Sequence, residues 1–189
     1  MKTREKLYFD SFREVVKAVH STLDIKKVLN MLVKKITQVM GLKGCAIRLL
    51  DPNRRTLELV YSYGLSKKYI EKGSVDADRS IAQAMRGKTV YIVNVREDPR
   101  VQYQKEALEE GIYGIVSVPL TLKRQVIGVL RLYLKKPHTF SRSEIQFVEA
   151  IAEIGTIAIE NARMYERIKK DYEDVMTDIY TFAGFRQSI

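Results

Sequence analysis

The sequence has no tryptophan, one cysteine, two histidines and four prolines in 189 residues, and these scarcities exclude several kinds of protein. A single cysteine, Cys45, cannot close an internal disulfide, nor supply a thiolate zinc cage that usually needs two to four such ligands, so a reducing compartment fits best. His20 and His138 are far apart along the chain and read as surface imidazoles, so neither a metal nor another cofactor is expected. Long apolar runs are missing too. The longest weakly charged stretch, Ile112 to Leu122, contains Pro119 and falls well short of the roughly 20 residues that cross a bilayer. The opening Met1, Lys2, Thr3, Arg4, Glu5, Lys6 shows no signal-peptide core, so a cytoplasmic location and no membrane partner are expected. No nucleophile with an obvious base, no glycine-rich phosphate loop and no zinc spacing occurs, and no catalytic residue is expected.

With 46% apolar and 30% charged residues, a chain of this length reads as one ordinary globular domain with an appendage. Thirty-three Lys and Arg against 23 Asp and Glu leave a charge of +10, which raises the question of nucleic acid. The basic pairs Lys26 and Lys27, Lys34 and Lys35, Lys67 and Lys68, Lys135 and Lys136, and Lys169 and Lys170 are scattered over several elements. No nucleic-acid-binding signature accompanies them, so a solvated basic surface is expected and a nucleic-acid partner is not.

Leu7, Tyr8, Phe12, Val15, Val16 and Val19 recur at helical spacing, and Ser21, Thr22 and Asp24 then offer caps before a second helix. That helix carries Ile25, Val28, Leu29, Leu32, Val33, Ile36, Val39 and Met40 on one face, and Gly41 is placed to end it. Cys45 to Leu50 and Thr56 to Tyr63 predict a β-hairpin about Asp51, Pro52 and Asn53. Short helical turns are expected near Lys67 to Glu71 and Ile81 to Arg86, a third strand over Thr89 to Val95, and a helix over Gln102 to Glu110. Two more strands, Tyr113 to Thr121 and Val126 to Leu134, bring the expected sheet to five. Ser141 and Glu144 then form a capping box, with Phe140 and Ile145 able to staple it, at the start of a long helix.

Phe147, Ile151, Ile154, Ala158, Asn161, Tyr165, Ile168, Tyr172, Val175, Ile179 and Phe182 follow one another at steps of four and three, the spacing of a coiled-coil seam. A helix from Arg142 to Phe182 would run about 60 Å at ~1.5 Å per residue, against a radius of gyration of about 16 Å for a compact chain of this size. It must overhang, and its uncovered stripe calls for a second copy. A homodimer is therefore expected, with Tyr8, Phe12, Val15, Val19, Ile154, Ala158, Asn161, Tyr165, Ile168, Tyr172, Val175 and Ile179 at its interface. Asn161 is a candidate for setting register. A helix break is expected at Ala183, Gly184, Phe185. The organisation expected is a bundle helix over residues 1–20, a globular domain over 21–165 and a coiled-coil extension with a tail over 166–189.

Several stretches, in this order and spacing, resemble the GAF domain, a sensory module of signalling proteins. They are Leu23 to Leu29; Leu49, Leu50, Asp51; Asn94, Val95, Asp98, Pro99, Arg100; Ser117 to Leu120; Val126 to Leu130; Phe140, Ser141; and Ala158 to Ala162. The resemblance implies an α+β fold. Its central antiparallel sheet has five to six strands, with the N- and C-terminal helices bundled on one face and a pocket walled by loops and short helices on the other. Strand alternation agrees in part: Cys45, Ile47 and Leu49 share one face, and Ala46, Arg48 and Leu50 the other. Arg131 again stands opposite an apolar set, so that Arg48 and Arg131 can share a face. Ligand contacts are expected from Arg48, Tyr61, Asn94, Arg100, Tyr103, Tyr113, Ser117, Arg131 and Tyr133, the arginines suiting a carboxylate or phosphate.

Other activities of this family find no support in the residues. Free methionine sulfoxide reductases of this fold use several cysteines in thiol exchange, and Cys45 alone cannot supply attacking and resolving thiols. Bilin-binding members attach chromophore through a cysteine near a histidine, whereas Cys45 sits in an apolar strand and reads as a small buried hydrophobe. The Asn-Lys-Phe-Asp-Glu set of cyclic-nucleotide-binding members is not found at matching spacing. The expectation is a non-enzymatic sensory or regulatory module that binds an unidentified small ligand or relays a signal through a helical dimer to a fused or partner output domain. A ligand-free dimerisation module and a nucleic-acid-binding transcriptional regulator are the alternatives.

Overall fold

Helical periodicity gives way to strand alternation and back again along this chain, and the backbone follows. The computed structural model describes residues 3–22, 24–51, 53, 56–76, 78 and 81–186, without the side chains of residue 3 and residues 179–186. Leu23, and the side chains of Ile179 and Phe182 at the end of the apolar stripe, thus lie outside the described residues. Helix α1 (Thr3–Ser21) and helix α2 (Ile25–Met40) lead into strands β1 (Gly44–Asp51) and β2 (Thr56–Tyr63). Helix α3 (Lys67–Ile70), strand β3 (Val75–Asp76), a 3-10 turn (Ala84–Arg86), strand β4 (Val90–Ile92) and helix α4 (Gln104–Glu109) form the middle of the chain. Strands β5 (Gly114–Leu122) and β6 (Gln125–Leu134) and helix α5 (Arg142–Arg186) complete it.

The caps anticipated from sequence are made. The Asp24 side chain accepts the backbone N–H groups of Lys26 and Lys27, and Gly41 ends α2 at φ 63°. Ser141 and Glu144 form the reciprocal box: the Ser141 N–H donates to the Glu144 carboxylate at 2.8 Å and the Glu144 N–H to the Ser141 hydroxyl at 3.3 Å. The buried Glu144 carboxylate also receives the Tyr8 hydroxyl at 3.3 Å and lies 3.2 Å from the His138 ring. The start of α5 is thereby tied to α1, and the Tyr8 ring stacks on Phe147 at 4.9 Å.

The sheet runs β3-β2-β1-β6-β5-β4, every neighbouring pair antiparallel. Six strands form where five are read from the chain, because β3 is two residues long and shows no alternation. Helices α1, α2 and α5 cover one face through Val15, Leu32, Ile36, Val148 and Ile151, packed on Cys45, Ile47, Val118 and Leu130 of the sheet. Two smaller apolar clusters sit on the other face, one around Ala46, Tyr69, Ile115 and Tyr133, the other around Leu57, Ile81, Val90 and Val129.

Gly128 sits where β6 passes closest to β1: a Cβ built there would lie 2.3 Å from the Arg48 carbonyl oxygen. Backbone cannot retreat as a side chain can. Gly128→Ala is therefore expected to lower stability by about 1–3 kcal/mol, read as a shift of the urea midpoint at unchanged slope. A variant as stable as the unaltered chain would refute this close approach.

Three expectations need correction. Tyr8 and Val15 of α1 and Ala158 of α5 are buried inside the chain itself, and offer no free surface to a second copy in this arrangement. Phe12 and Ile154 likewise pack partly against their own core. The third correction concerns the end of α5, which continues through Ala183, Gly184 and Phe185 to Arg186. A lone glycine costs a helix only about 1 kcal/mol relative to alanine and does not by itself end it. Beyond the globule α5 bares Tyr165, Ile168, Tyr172 and Val175, each more than half exposed. Among the described residues no helix is long and apolar enough to cross a membrane.

Candidate functional site

Three adjacent strands each place one polar side chain on the sheet face away from the helices. On β1 this is Arg48, between Ala46 and Leu50; on β6 it is Arg131, between Val129 and Tyr133; on β5 it is Ser117. Ser117 stands directly opposite Arg131, and Arg48 is its diagonal neighbour, because Arg48 pairs with Val129 and Ala46 with Arg131. Cross-strand neighbours on one face are within side-chain reach. The row separates the two apolar clusters of this face, with Ala46, Ile115 and Tyr133 on one side and Leu57, Val90 and Val129 on the other.

Both guanidinium groups are buried, Arg48 being 2% and Arg131 4% exposed. Arg48 Nη1 donates to the Leu57 carbonyl at 3.0 Å, while its Nε finds no acceptor. Arg131 Nε, the Ser117 hydroxyl and the Tyr133 hydroxyl are likewise buried without a hydrogen-bond partner. Arg131 lies 5.7 Å from the centre of the Tyr133 ring. Among the described residues, neither arginine has a carboxylate within ion-pair distance. Buried polar groups are nearly always paired, and a buried charge is costly unless it is compensated. Four orphan polar atoms in one row are therefore exceptional.

A roof of short elements covers the row. Tyr69 of α3 packs edge-on to Tyr133, with ring centres 5.7 Å apart. Lys72 follows, its Nζ donating to the Tyr69 carbonyl at 2.9 Å, 3.4 Å from the centre of the Tyr69 ring and 5.6 Å from that of Tyr103. Gly73 at φ +116° turns the chain here, in a conformation other residues rarely adopt. The segment is then stitched down: the Tyr103 hydroxyl donates to the Ser74 carbonyl at 2.9 Å, and the Asp76 N–H donates to the Gln102 side chain at 2.8 Å. Burial, and after it the charges of Arg48 and Arg131, bring the Lys72 ammonium down from the usual lysine range to about 7. Burial and the neighbouring Tyr133 push the Tyr69 hydroxyl well up.

This arrangement is a donor-rich interior with aromatic walls. A family model described as the GAF domain matches residues 22–160. The chain belongs to the GAF domain family. GAF domains are sensory and regulatory modules of signalling proteins, and the family is largely non-enzymatic. The formate hydrogenlyase transcriptional activator of Salmonella typhimurium is 25% identical over 171 residues, covering 85% of this chain and 25% of that protein. The methyl sulfide methyltransferase-associated sensor of Methanosarcina acetivorans is 24% identical over 167 residues, covering 85% of this chain and 17% of that one. The chain thus spans a quarter or less of the curated relatives it matches.

Solved structures share the fold. The GAF domain of a phosphoenolpyruvate-protein phosphotransferase from Coxiella burnetii superposes with a TM-score of 0.77 at 17% identity, over 86% of this chain and 98% of that one. A free methionine-R-sulfoxide reductase from Neisseria meningitidis, in complex with its substrate, gives 0.73 at 19% identity, over 87% and 95%. In the present GAF domain Cys45 lies wholly buried in the core on the helix side, where burial drives its thiol far above the ordinary range. It stays a thiol and not a nucleophilic thiolate.

Of the residues expected at the site, the fold brings together Arg48, Ser117, Arg131 and Tyr133, with Tyr103 in the roof. Tyr61 is not among them. The β1–β2 register shifts between Ile47 and Arg48, and this bulge turns Tyr61 over to the helix-side cluster. Asn94 and Arg100 build a surface turn instead: the Asn94 side chain accepts the Arg96 N–H at 3.1 Å, and Arg100 pairs with Asp98 and donates to the Tyr91 carbonyl at 3.2 Å. They line a separate open groove of about 460 Å³ with Pro99 and Val93. Tyr113 precedes β5 and is anchored by its backbone, which donates to the Leu134 carbonyl at 2.7 Å. Sequence reading missed Tyr69 and Lys72, which stand in a run of lysines that looks like a solvated surface.

Proposed function

We propose that this GAF domain is a non-enzymatic sensor that takes up a small ligand between the sheet and its roof and reports it through the pairing of α5 in two copies of the chain. One observation carries the ligand half: the buried donors of Arg48, Arg131, Ser117 and Tyr133 converge on one row without acceptors of their own. A ligand that accepts from them lowers the free energy of the folded state and holds the roof segments against the sheet. The pairing half rests on Tyr165, Ile168, Tyr172 and Val175, an exposed stripe at steps of three and four on a helix that has left its own globule. Ligand binding shifts the pairing only by its differential affinity for the two arrangements. Fused or partner domains would read the change.

Native mass spectrometry of the purified chain tests both halves, since subunit number and co-purified mass appear in one spectrum. A dimer with additional bound mass is the expected result, and an unliganded monomer would refute the reading. In sedimentation experiments, Ile168→Asp combined with Tyr172→Asp is expected to convert the dimer to a monomer with unchanged helicity. Dimers that survive this double substitution would place the interface elsewhere.

A further inference from the structure

We propose that the ligand of this site is a small oxyanion, a molecule presenting a carboxylate or a phosphate group, held between Arg48 and Arg131 with Lys72 as the third cationic wall. The inference deepens the sensor reading and rests on it. Its ground is the sign of the charge. Arginine cannot shed its proton inside a protein, so two permanent positive charges stand in the interior of the domain. Each is almost wholly buried, and each has an Nε–H with no acceptor among the described residues. Register makes them diagonal neighbours on one face, so each raises the electrostatic cost of the other.

The roof adds a third cation rather than an acid. Lys72 Nζ sits over the Tyr69 ring, and both arginines act on it. The carboxylates nearest this region are those of Glu106, Glu109 and Glu110. Glu106 and Glu110 act on Lys72, but less than the two arginines do, and Glu109 and Glu110 have partners outside the row. Glu109 pairs with Lys68 at 2.7 Å; Glu110 pairs with Lys43 at 3.2 Å and accepts from Ser66. Ser117 and Tyr133 contribute neutral hydroxyls, which donate to an anion as readily as to a neutral acceptor. A neutral ligand would satisfy the hydrogen bonds and leave the charges uncompensated. An oxyanion satisfies both, and a planar or tetrahedral oxygen set matches the fork of a guanidinium.

The test is thermal unfolding and titration calorimetry of the full chain at constant ionic strength. The probes are formate, acetate, oxalate, phosphate and sulfate, with formamide and acetamide as neutral counterparts. At least one oxyanion is expected to raise the midpoint in a saturable way while its neutral counterpart does not. Response to the carboxylates alone, or to phosphate and sulfate alone, identifies the group. Arg131→Gln and Arg48→Gln are each expected to weaken binding by about 10- to 100-fold; Arg131→Lys, which keeps the charge but loses the fork, is expected to weaken it less. The comparison of acid with amide on the unaltered chain needs no variant and holds even if a glutamine variant fails to fold. A shift that rises without saturating and survives in Arg131→Gln is a general salt effect and overturns the proposal. Tight binding of a neutral molecule, found as co-purified mass and indifferent to Arg131→Gln, overturns the anion and leaves the sensor standing. No bound mass and no response to any probe overturns both.

Discussion

Arg131→Met is expected to make the ligand-free chain more stable, by about 1–4 kcal/mol, the range found when buried ionic groups give way to apolar side chains of similar volume. Arg131 is almost fully buried, its Nε has no acceptor, and a second guanidinium is its diagonal neighbour. The folded state therefore carries a desolvated charge that the unfolded chain leaves in water. Methionine keeps an unbranched stem to fill the layer beside Tyr133 and Val129, and it brings no charge. Arg48 is the poorer choice for this experiment, since its Nη1 satisfies the Leu57 carbonyl. Urea unfolding in buffer free of carboxylate and phosphate checks the sign: a higher midpoint at unchanged slope is expected. If Arg131 were a structural strut, its loss would lower the midpoint instead, and that result would remove the energetic basis of the anion site.

Oxyanion affinity is expected to fall as pH rises through neutrality, by about 10- to 30-fold between pH 6.5 and 8.5. The groups that face Lys72 are Arg48 from β1, Arg131 from β6, Glu106 from α4 and Glu110 just after it, with the Tyr69 and Tyr103 rings against its ammonium. Burial and the two arginines outweigh the two glutamates, so Lys72 titrates at about 7 in the free chain. An anion beside it favours the charged form and raises that value, so binding takes up a proton over the interval between the two values. Above about pH 7 this uptake opposes binding; well below it, Lys72 is already charged and affinity levels off. For the ligand-free chain the sign is opposite. Unfolding returns Lys72 to its ordinary value near 10.5, so the unfolded state holds more protons between about 7 and 10.5 and stability rises with pH there. Calorimetry in buffers of different ionisation enthalpy measures the proton uptake directly. Lys72→Met is expected to abolish it and flatten the affinity profile, and a pH-dependent affinity that persists in this variant would assign the proton elsewhere.

Much of the site was legible as a pattern and little of it as a place. Strand alternation puts Arg48 opposite Cys45 and Ile47, and the same rule separates Arg131 from Leu130 and Leu132, so their shared face follows from local geometry. Tyr61 shows where that rule stops: one extra residue in β2, where the register slips, reverses the parity beyond it. Nothing in the residues Tyr61, Ser62, Tyr63 announces a bulge. Lys72 was illegible for another reason. Its neighbours Lys67, Lys68 and Glu71 are exposed, and only the turn at Gly73 and the bonds from Tyr103 and Gln102 bring this lysine under the roof. The α1 stripe misled in the opposite direction. Tyr8 and Val15 have the spacing of an interface, but the apolar face they meet belongs to α5 and the core of their own chain.

Local chemistry alone determined the caps at Asp24, Gly41 and Ser141, the helix and strand periods, and the family, because each depends on residues within a turn or two or on their order along the chain. Which cations lost their water, and which apolar stripe stayed bare, was decided only when distant segments met. Desolvation is a property of everything that surrounds a group: Arg48 and Arg100 are the same side chain, and the one lies buried without a carboxylate while the other stands at the surface beside Asp98.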